Sequence, residues 1–162
     1  MHEVFLGLGS NMGERESLLC RACEEIERLI GPITARSAFI ETEPWGYASE
    51  NKFLNAVVRC HTTLEPIAVL DAAQLIERRL GKSAAHATDR SEKEKPVFKD
   101  RPIDIDILLY DCLVMHEPRL VIPHPLMTQR DFVMIPLRQV LKGADDEKYQ
   151  DLISKSECRH FD

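Results

Sequence analysis

The chain lacks a basic excess, a membrane-length apolar run, a disulfide framework and a complete glycine-rich nucleotide motif. Each absence removes a class of function. Its 27 acidic residues outnumber 21 Lys and Arg, for a net charge of −6, whereas a general nucleic-acid binder carries a basic face. No window approaches the ~18 consecutive apolar residues that mark a membrane span. Met1-His2-Glu3-Val4 runs straight into a strand-like segment, without a charged n-region or a small-residue cleavage site. The expectation is a soluble, cytoplasmic protein with no nucleic-acid partner and no membrane association.

Five cysteines, an odd number without framework spacing, fit that compartment. Cys20 and Cys23 form a CxxC pair, but they fall in a helix-like run with Leu18, Leu19, Ala22 and Ile26. No second pair follows at zinc-ribbon spacing, so they read as packing cysteines. His2, His61, His86, His116 and His160 show no ligand spacing and read as surface residues. Gly7-Leu8-Gly9-Ser10-Asn11-Met12-Gly13 places its third glycine one position late for GxGxxG. The chain also lacks the repeated parallel βαβ units of a dinucleotide fold. No GxxxxGK[ST] loop is present, so any ATP must be held another way. These glycines read as a tight turn that leaves room for close approach of another segment.

What is present is an ordinary globular composition, 44% hydrophobic and 30% charged over 162 residues, enough for one domain with a real core. Strands are expected at Glu3–Gly9, Ile33–Glu41, Lys52–Thr62 and Ile103–Tyr110, and helices at Glu14–Ile30, Pro66–Leu80 and Phe132–Leu141. Pro66 suits a first helical turn and Gly81 a stop. The order β-α-β-β-α-β predicts an α+β, ferredoxin-like sandwich: an antiparallel sheet with helices on one face and a long active-site loop. Residues 1–142 form the expected domain, and 143–162 a polar, peripheral tail in which Leu152-Ile153 can dock.

The most informative stretch is Arg101-Pro102-Ile103-Asp104-Ile105-Asp106-Ile107-Leu108-Leu109-Tyr110. It alternates like a strand, with Ile103, Ile105 and Ile107 on one face and Asp104 and Asp106 on the other. Same-face residues lie roughly 6.5–7 Å apart along a strand. Carboxylates so spaced can share two hard cations about 3.5–4 Å apart, the arrangement of two-metal phosphoryl chemistry. Oxygen ligands suit Mg²⁺ better than zinc, and Arg101 can reach phosphates held there. The plain alternative is a half-exposed strand with a charged outer face. Upstream, the aperiodic, polar segment Lys82–Asp100 exceeds the ~12–15 residues usual for an internal loop. It reads as a lid over an anionic substrate, against a solvated insertion.

Gly9-Ser10-Asn11, Thr42-Glu43-Pro44-Trp45-Gly46, Phe53-Leu54-Asn55, Gln74-Leu75-Ile76-Glu77, the Arg101–Asp106 run, and Arg119-Leu120-Val121-Ile122-Pro123-His124 through Arg130-Asp131-Phe132 occur in this order. Together they closely resemble the 6-hydroxymethyl-7,8-dihydropterin pyrophosphokinase family of folate synthesis, from roughly Val4 to Leu141. The resemblance implies pyrophosphoryl transfer from MgATP to the pterin hydroxymethyl oxygen, giving AMP and the pterin diphosphate. It implies that Asp104 and Asp106 hold two Mg²⁺ and that Arg101 acts with them. It implies phosphate and nucleotide contacts from Arg119, His124 and Arg130, with Gln74 and Glu77 near the nucleotide. Phe53 and Phe132 would sandwich the pterin ring. Asn55 would read its amide-and-amine edge, completed by Thr42 and the Gly46 loop, with Trp45 flanking the pocket. Other folate-pathway enzymes are candidate partners.

The chain also departs from that family pattern. Lys82-Ser83-Ala84-Ala85-His86 lacks the arginine-rich run that many members show after the glycine. Phe98-Lys99-Asp100-Arg101 stands where Trp-Gly-Pro-Arg is usual, and Pro125 where an aromatic is often found. Lysine is a point charge without arginine's bidentate fork. A second reading is therefore a catalytically impaired pterin- or nucleotide-binding module of the same fold.

Overall fold

Strand β1 (His2–Ser10) is the axis of the molecule, because it is covered on both faces and paired on both edges. The computed structural model describes residues 1–44, 49–83, 100–141 and 146–158. After β1 come α1 (Arg15–Leu29), β2 (Ile33–Arg36), β3 (Ile40–Thr42), β4 (Phe53–Thr62), α2 (Pro66–Arg79) and β5 (Asp104–Tyr110). The short strands β6 (Met115–His116) and β7 (Val121–Ile122), a 3₁₀ turn at Met127–Gln129, α3 (Asp131–Val140) and α4 (Asp146–Cys158) follow. The main sheet has the order β2-β4-β1-β5, with β3 also on β4 and each described pairing antiparallel. Since β1 and β2 both run against β4, α1 is the crossover of a split βαβ unit, and α2 likewise joins β4 to β5. This is the expected α+β, ferredoxin-like arrangement.

The helix registers follow from apolar spacing. In α1, Leu18, Leu19, Ala22, Cys23 and Ile26 are buried, a stripe that repeats every turn. Val69, Ala73 and Ile76 do the same for α2. These stripes meet Val4, Leu6, Leu8, Val58, Ile105 and Ile107 in the larger core. The expectation of helices on one face holds for this crossover pair only. Helices α3 and α4 cover the other face, where Val133, Met134, Leu137, Tyr149 and Ile153 pack with Phe5, Val57 and Leu109. The region read as a polar, peripheral tail thus contains a helix that buries Tyr149 completely. Its apolar residues are too sparse for periodicity to reveal that docking.

The stretch read as a single strand, Ile33–Glu41, is two strands broken at 37–39. At the break, Ser37 N–H donates to Val57 O (2.9 Å) and Val57 N–H donates to Ser37 Oγ (2.8 Å). A side chain thus replaces a ladder carbonyl and bends the edge. No helix among the described residues is long and apolar enough to cross a membrane.

Candidate active site

Two cross-strand rows build the site. Asn55, Gly9 and Asp104 lie side by side across β4, β1 and β5, and Val57, Gly7 and Asp106 form the next row. The middle of each row has no side chain, so the sheet itself floors a cleft between the acids and Asn55. A Cβ on Gly9 would sit 3.2 Å from Asn55 Oδ1 and 3.6 Å from the Phe53 ring, and one on Gly7 3.4 Å from Leu108. At Gly9 the close approach of Asn55 and Phe53 leaves little room for a side chain, as expected of a glycine that admits another segment. Arg101, Asp104, Asp106, Leu108, Arg130, Phe132 and Val133 complete the lining. A register shift between Phe5 and Leu6 puts a bulge in β5 around Leu108. The acids share the cleft side by the strand's period of two, and beyond them the bulge turns Tyr110 to the opposite core.

The electrostatics of the two acids differ. Asp104 Oδ1 accepts a hydrogen bond from Lys82 Nζ at 2.9 Å, and Arg101 Nε lies 3.7 Å from Oδ2. Burial pushes the Asp104 carboxyl up, but Arg101 and Lys82 outweigh it and hold the group well below the usual carboxylate range. Beside Asp106, His124 Nε2 stands 4.0 Å away, and Arg130 and Arg101 act on the acid against its burial. Burial, then the charge of Asp104, pushes Asp106 up to about 7. Leu126 N–H donates to His124 Nδ1 at 3.2 Å, which puts the proton of a neutral ring on Nε2, toward the acid. Two mostly covered oxygen-donor side chains on one strand face suit a hard cation. Among the described residues no third His, Cys, Asp or Glu completes a metal cluster.

The other expected residues fall in different places. Asn55 is buried and its Nδ2 donates to Thr42 Oγ1 at 2.8 Å and Ile40 O at 3.4 Å. This fixes the amide, with Oδ1 over the Gly9 floor. Arg101 lies over the Phe53 ring at 5.1 Å and Arg130 over Phe132 at 5.6 Å, so each aromatic carries a guanidinium on its face. Trp45 and Gly46 lie outside the described residues, as does loop 84–99. Gln74 and Arg119 meet each other at 3.4 Å on the outer surface of α2, where Arg119 also pairs with Asp71 at 2.6 Å. Glu77 is not on an exposed helix face. It is buried behind Asp104, where its Oε2 accepts from Ile105 N–H (3.0 Å) and Lys82 Nζ (2.9 Å). Burial, then Asp104, raises it to about 7.

Lys82, Asn11 and Asp100 have site contacts that the sequence did not assign. Asn11 Oδ1 accepts from Arg101 N–H at 2.8 Å, while its Nδ2 donates to Asp100 Oδ1 at 2.8 Å. Asp100 Oδ2 takes further bonds from Ser49 (3.0 Å) and Asn51 (2.8 Å). This knot fixes the backbone from which Arg101 projects. The one available signal was Asn11 directly after the glycine-bearing strand.

The sequence pattern of the family described as 7,8-dihydro-6-hydroxymethylpterin-pyrophosphokinase (HPPK) matches residues 5–142. A 2-amino-4-hydroxy-6-hydroxymethyldihydropteridine pyrophosphokinase of Porphyromonas gingivalis is 46% identical over 138 residues, 85% of this chain and 89% of that one. The mitochondrial folate synthesis bifunctional protein of Arabidopsis thaliana is 34% identical over 145 residues, which make up 90% of this chain and 24% of the longer one. A crystal structure of wild-type Plasmodium falciparum HPPK-DHPS superposes with a TM-score of 0.64 at 14% identity, covering 98% of this chain and 46% of that one. At that identity the likeness concerns the fold.

Proposed function

The chain belongs to the 7,8-dihydro-6-hydroxymethylpterin-pyrophosphokinase family, and on that premise we propose which of its residues carry the reaction. It is a diphosphotransferase of folate synthesis, moving the pyrophosphoryl group of ATP to hydroxymethyldihydropterin. Supporting the assignment of the reacting centre is one observation above the others: Asp104 and Asp106 flank a side-chain-free floor that ends at Asn55. One end of the cleft is anionic and the other offers the fixed amide of a ring reader.

In this reading Asn55, held by Thr42, recognises the polar edge of the pterin, and Phe53 and Phe132 cover its faces. The family resemblance assigns Trp45 and Gly46 to recognition of the same ring. Asp104 and Asp106 would hold Mg²⁺, two ions in the fullest form of the proposal. Bound there, the metal supplies charge neutralisation at the phosphates. Arg101 and Arg130, each braced on an aromatic ring, meet the triphosphate with fixed guanidinium planes. His124 offers Nε2–H beside Asp106. Gln74 and Arg119, paired on α2, hold the nucleoside end, and Glu77 supports Asp104 from behind through Lys82. Transfer of this type depends on positioning and charge stabilisation more than on a dedicated base.

We place the catalytic unit within residues 1–142, with α4 as a support on the same sheet face as the cleft, packed at its far end against Phe5. A cytoplasmic location agrees with the free thiols of Cys20, Cys23, Cys60 and Cys112. Association with another folate enzyme is the last part of the proposal, supported by the longer bifunctional plant chain. The decisive experiment incubates the protein with ATP, Mg²⁺ and 6-hydroxymethyl-7,8-dihydropterin and follows nucleotides by chromatography. AMP should form only when pterin and Mg²⁺ are both present. Pterin binding without AMP would instead select the impaired binding module.

A further inference from the structure

Lys82 already supplies a cation to the acid pair. Its Nζ lies 2.9 Å from Asp104 Oδ1 and 2.9 Å from Glu77 Oε2. The side chain is mostly covered, at 19% exposed, between carboxylates that are 22% and 9% exposed. The placement is fixed by the backbone. Gly81 takes a left-handed φ of 107° as α2 ends, and Lys82 N–H then donates to Glu77 O at 2.9 Å. Glu77 is in turn anchored to Ile105 N–H on the acid-bearing strand. The lysine head is therefore delivered to one oxygen of Asp104 by the helix end and the strand together.

We propose that Lys82 is an internal competitor of the divalent cation: its ammonium shares Asp104 with the metal, must leave that oxygen for the metal to load, and so weakens the binding of free metal. This rests on the reading that Asp104 and Asp106 hold the metal. Magnesium binds a carboxylate oxygen at about 2.0–2.1 Å, while the Lys82 ammonium already sits 2.9 Å from that oxygen of Asp104. An ammonium on the same oxygen would stand within a few ångströms of the ion, and like charges so close repel strongly in a half-buried site. Lysine suits this role because its head is a single point charge on a flexible stem. It can retire to Glu77 without breaking the Glu77–Ile105 bond. The consequence is an acid pair in which Asp104 stays compensated without metal and which loads metal readily only when a further anion, such as a polyphosphate, draws the ammonium away.

The test measures binding of Mn²⁺ alone to the full chain by the electron paramagnetic resonance signal of the free ion. Lys82→Met and Lys82→Gln should each bind Mn²⁺ at least about tenfold more tightly than wild type, the scale of one close, partly screened charge pair. Lys82→Arg, which keeps the charge, should stay within about threefold of wild type on the same argument. Unchanged or weaker binding in both neutral variants would overturn the competition. Asp106→Asn in the Lys82→Met background separates that failure from failure of the site: if Mn²⁺ binding survives there undiminished, the acids do not hold the metal. Thermal melts supply a second readout. The neutral variants should melt lower than wild type in EDTA and gain more from added Mg²⁺, because the metal replaces the lost cation. An equal gain in variant and wild type would also count against the proposal.

Discussion

Two carboxylate clusters stand at opposite ends of one sheet face, and their chemistry is opposite. At the far end from the cleft, Glu3 accepts bonds from Arg59 (2.7 Å), Tyr149 OH (2.6 Å) and His61 (3.3 Å). Phe5, next on that face, is fully buried and meets the Tyr149 ring edge-on at 5.0 Å. At the cleft end the same strand carries Gly7 and Gly9, and the acids Asp104, Asp106 and Glu77 crowd one another beside them. Burial raises Glu3, but its hydrogen bonds outweigh that and bring it below the ordinary value. Burial and mutual repulsion leave Asp106 and Glu77 raised. One end is filled and satisfied, the other emptied and charged. A fold that compensates one acid so completely leaves a second group of acids raised where a cationic ligand can relieve them.

Removing the acids should give the largest effect. Asp104→Ala and Asp106→Ala should each lower AMP formation on the order of 10³-fold or more, with melting temperatures within a few degrees of wild type. Near-normal turnover in either would end the assignment of the cleft as the reacting end. Phe132→Ala should weaken pterin binding by about 10- to 100-fold, the value of a buried aromatic face, and ATP binding far less. Calorimetric titration with each ligand separates the two, and equal losses would make Phe132 a core residue like Phe5.

Much of this contrast was legible in the sequence, for identifiable reasons. The alternation of Ile103, Ile105 and Ile107 with Asp104 and Asp106 fixed a strand face, because side-chain direction in a strand has period two. The crossover helices showed full-turn stripes, and so the split βαβ order could be read. Asn55, Phe53 and Phe132 carry no periodic signal of their own and were assigned through the family resemblance. Glu77 was assigned near the nucleotide through the resemblance, and its burial beside Asp104 was not legible, because helical spacing says which residues share a face, not whether the following segment returns to cover it. Lys82 does return, and nothing local marks it among the other lysines of its segment. The docking of α4 was hidden for a similar reason: its anchor is a single tyrosine whose partner, Glu3, lies 146 residues away.

The satisfied end should respond to mutation in stability and not in catalysis. Tyr149→Phe keeps the ring against Phe5 and removes only the hydroxyl bond to Glu3. A hydrogen bond to a charged group contributes about 1.5–3 kcal/mol, which for a domain of this size is a fall in melting temperature of roughly 3–12 °C. Turnover measured well below that melt should stay within about twofold, since surrounding contacts remain. A large loss of turnover with little change in melting would show that α4 acts on the cleft and that the two ends are not separable.

The smallest effect is the pH dependence that Glu3 imposes. Its carboxyl is lowered in the folded protein from an ordinary value of 4.5, by Tyr149 and Arg59 acting against burial. A depressed acid stabilises the fold fully above its unfolded value and loses that contribution as pH falls toward the folded one. Wild type should therefore exceed Glu3→Gln in denaturant stability by a constant margin above about pH 5.5. The margin should shrink progressively below about pH 4.5. Chemical melts of both proteins from pH 3 to pH 7 read this directly. A margin independent of pH across that range would mean that Glu3 acts by shape and hydrogen-bond count alone, and the electrostatic half of the contrast between the two ends would fail with it.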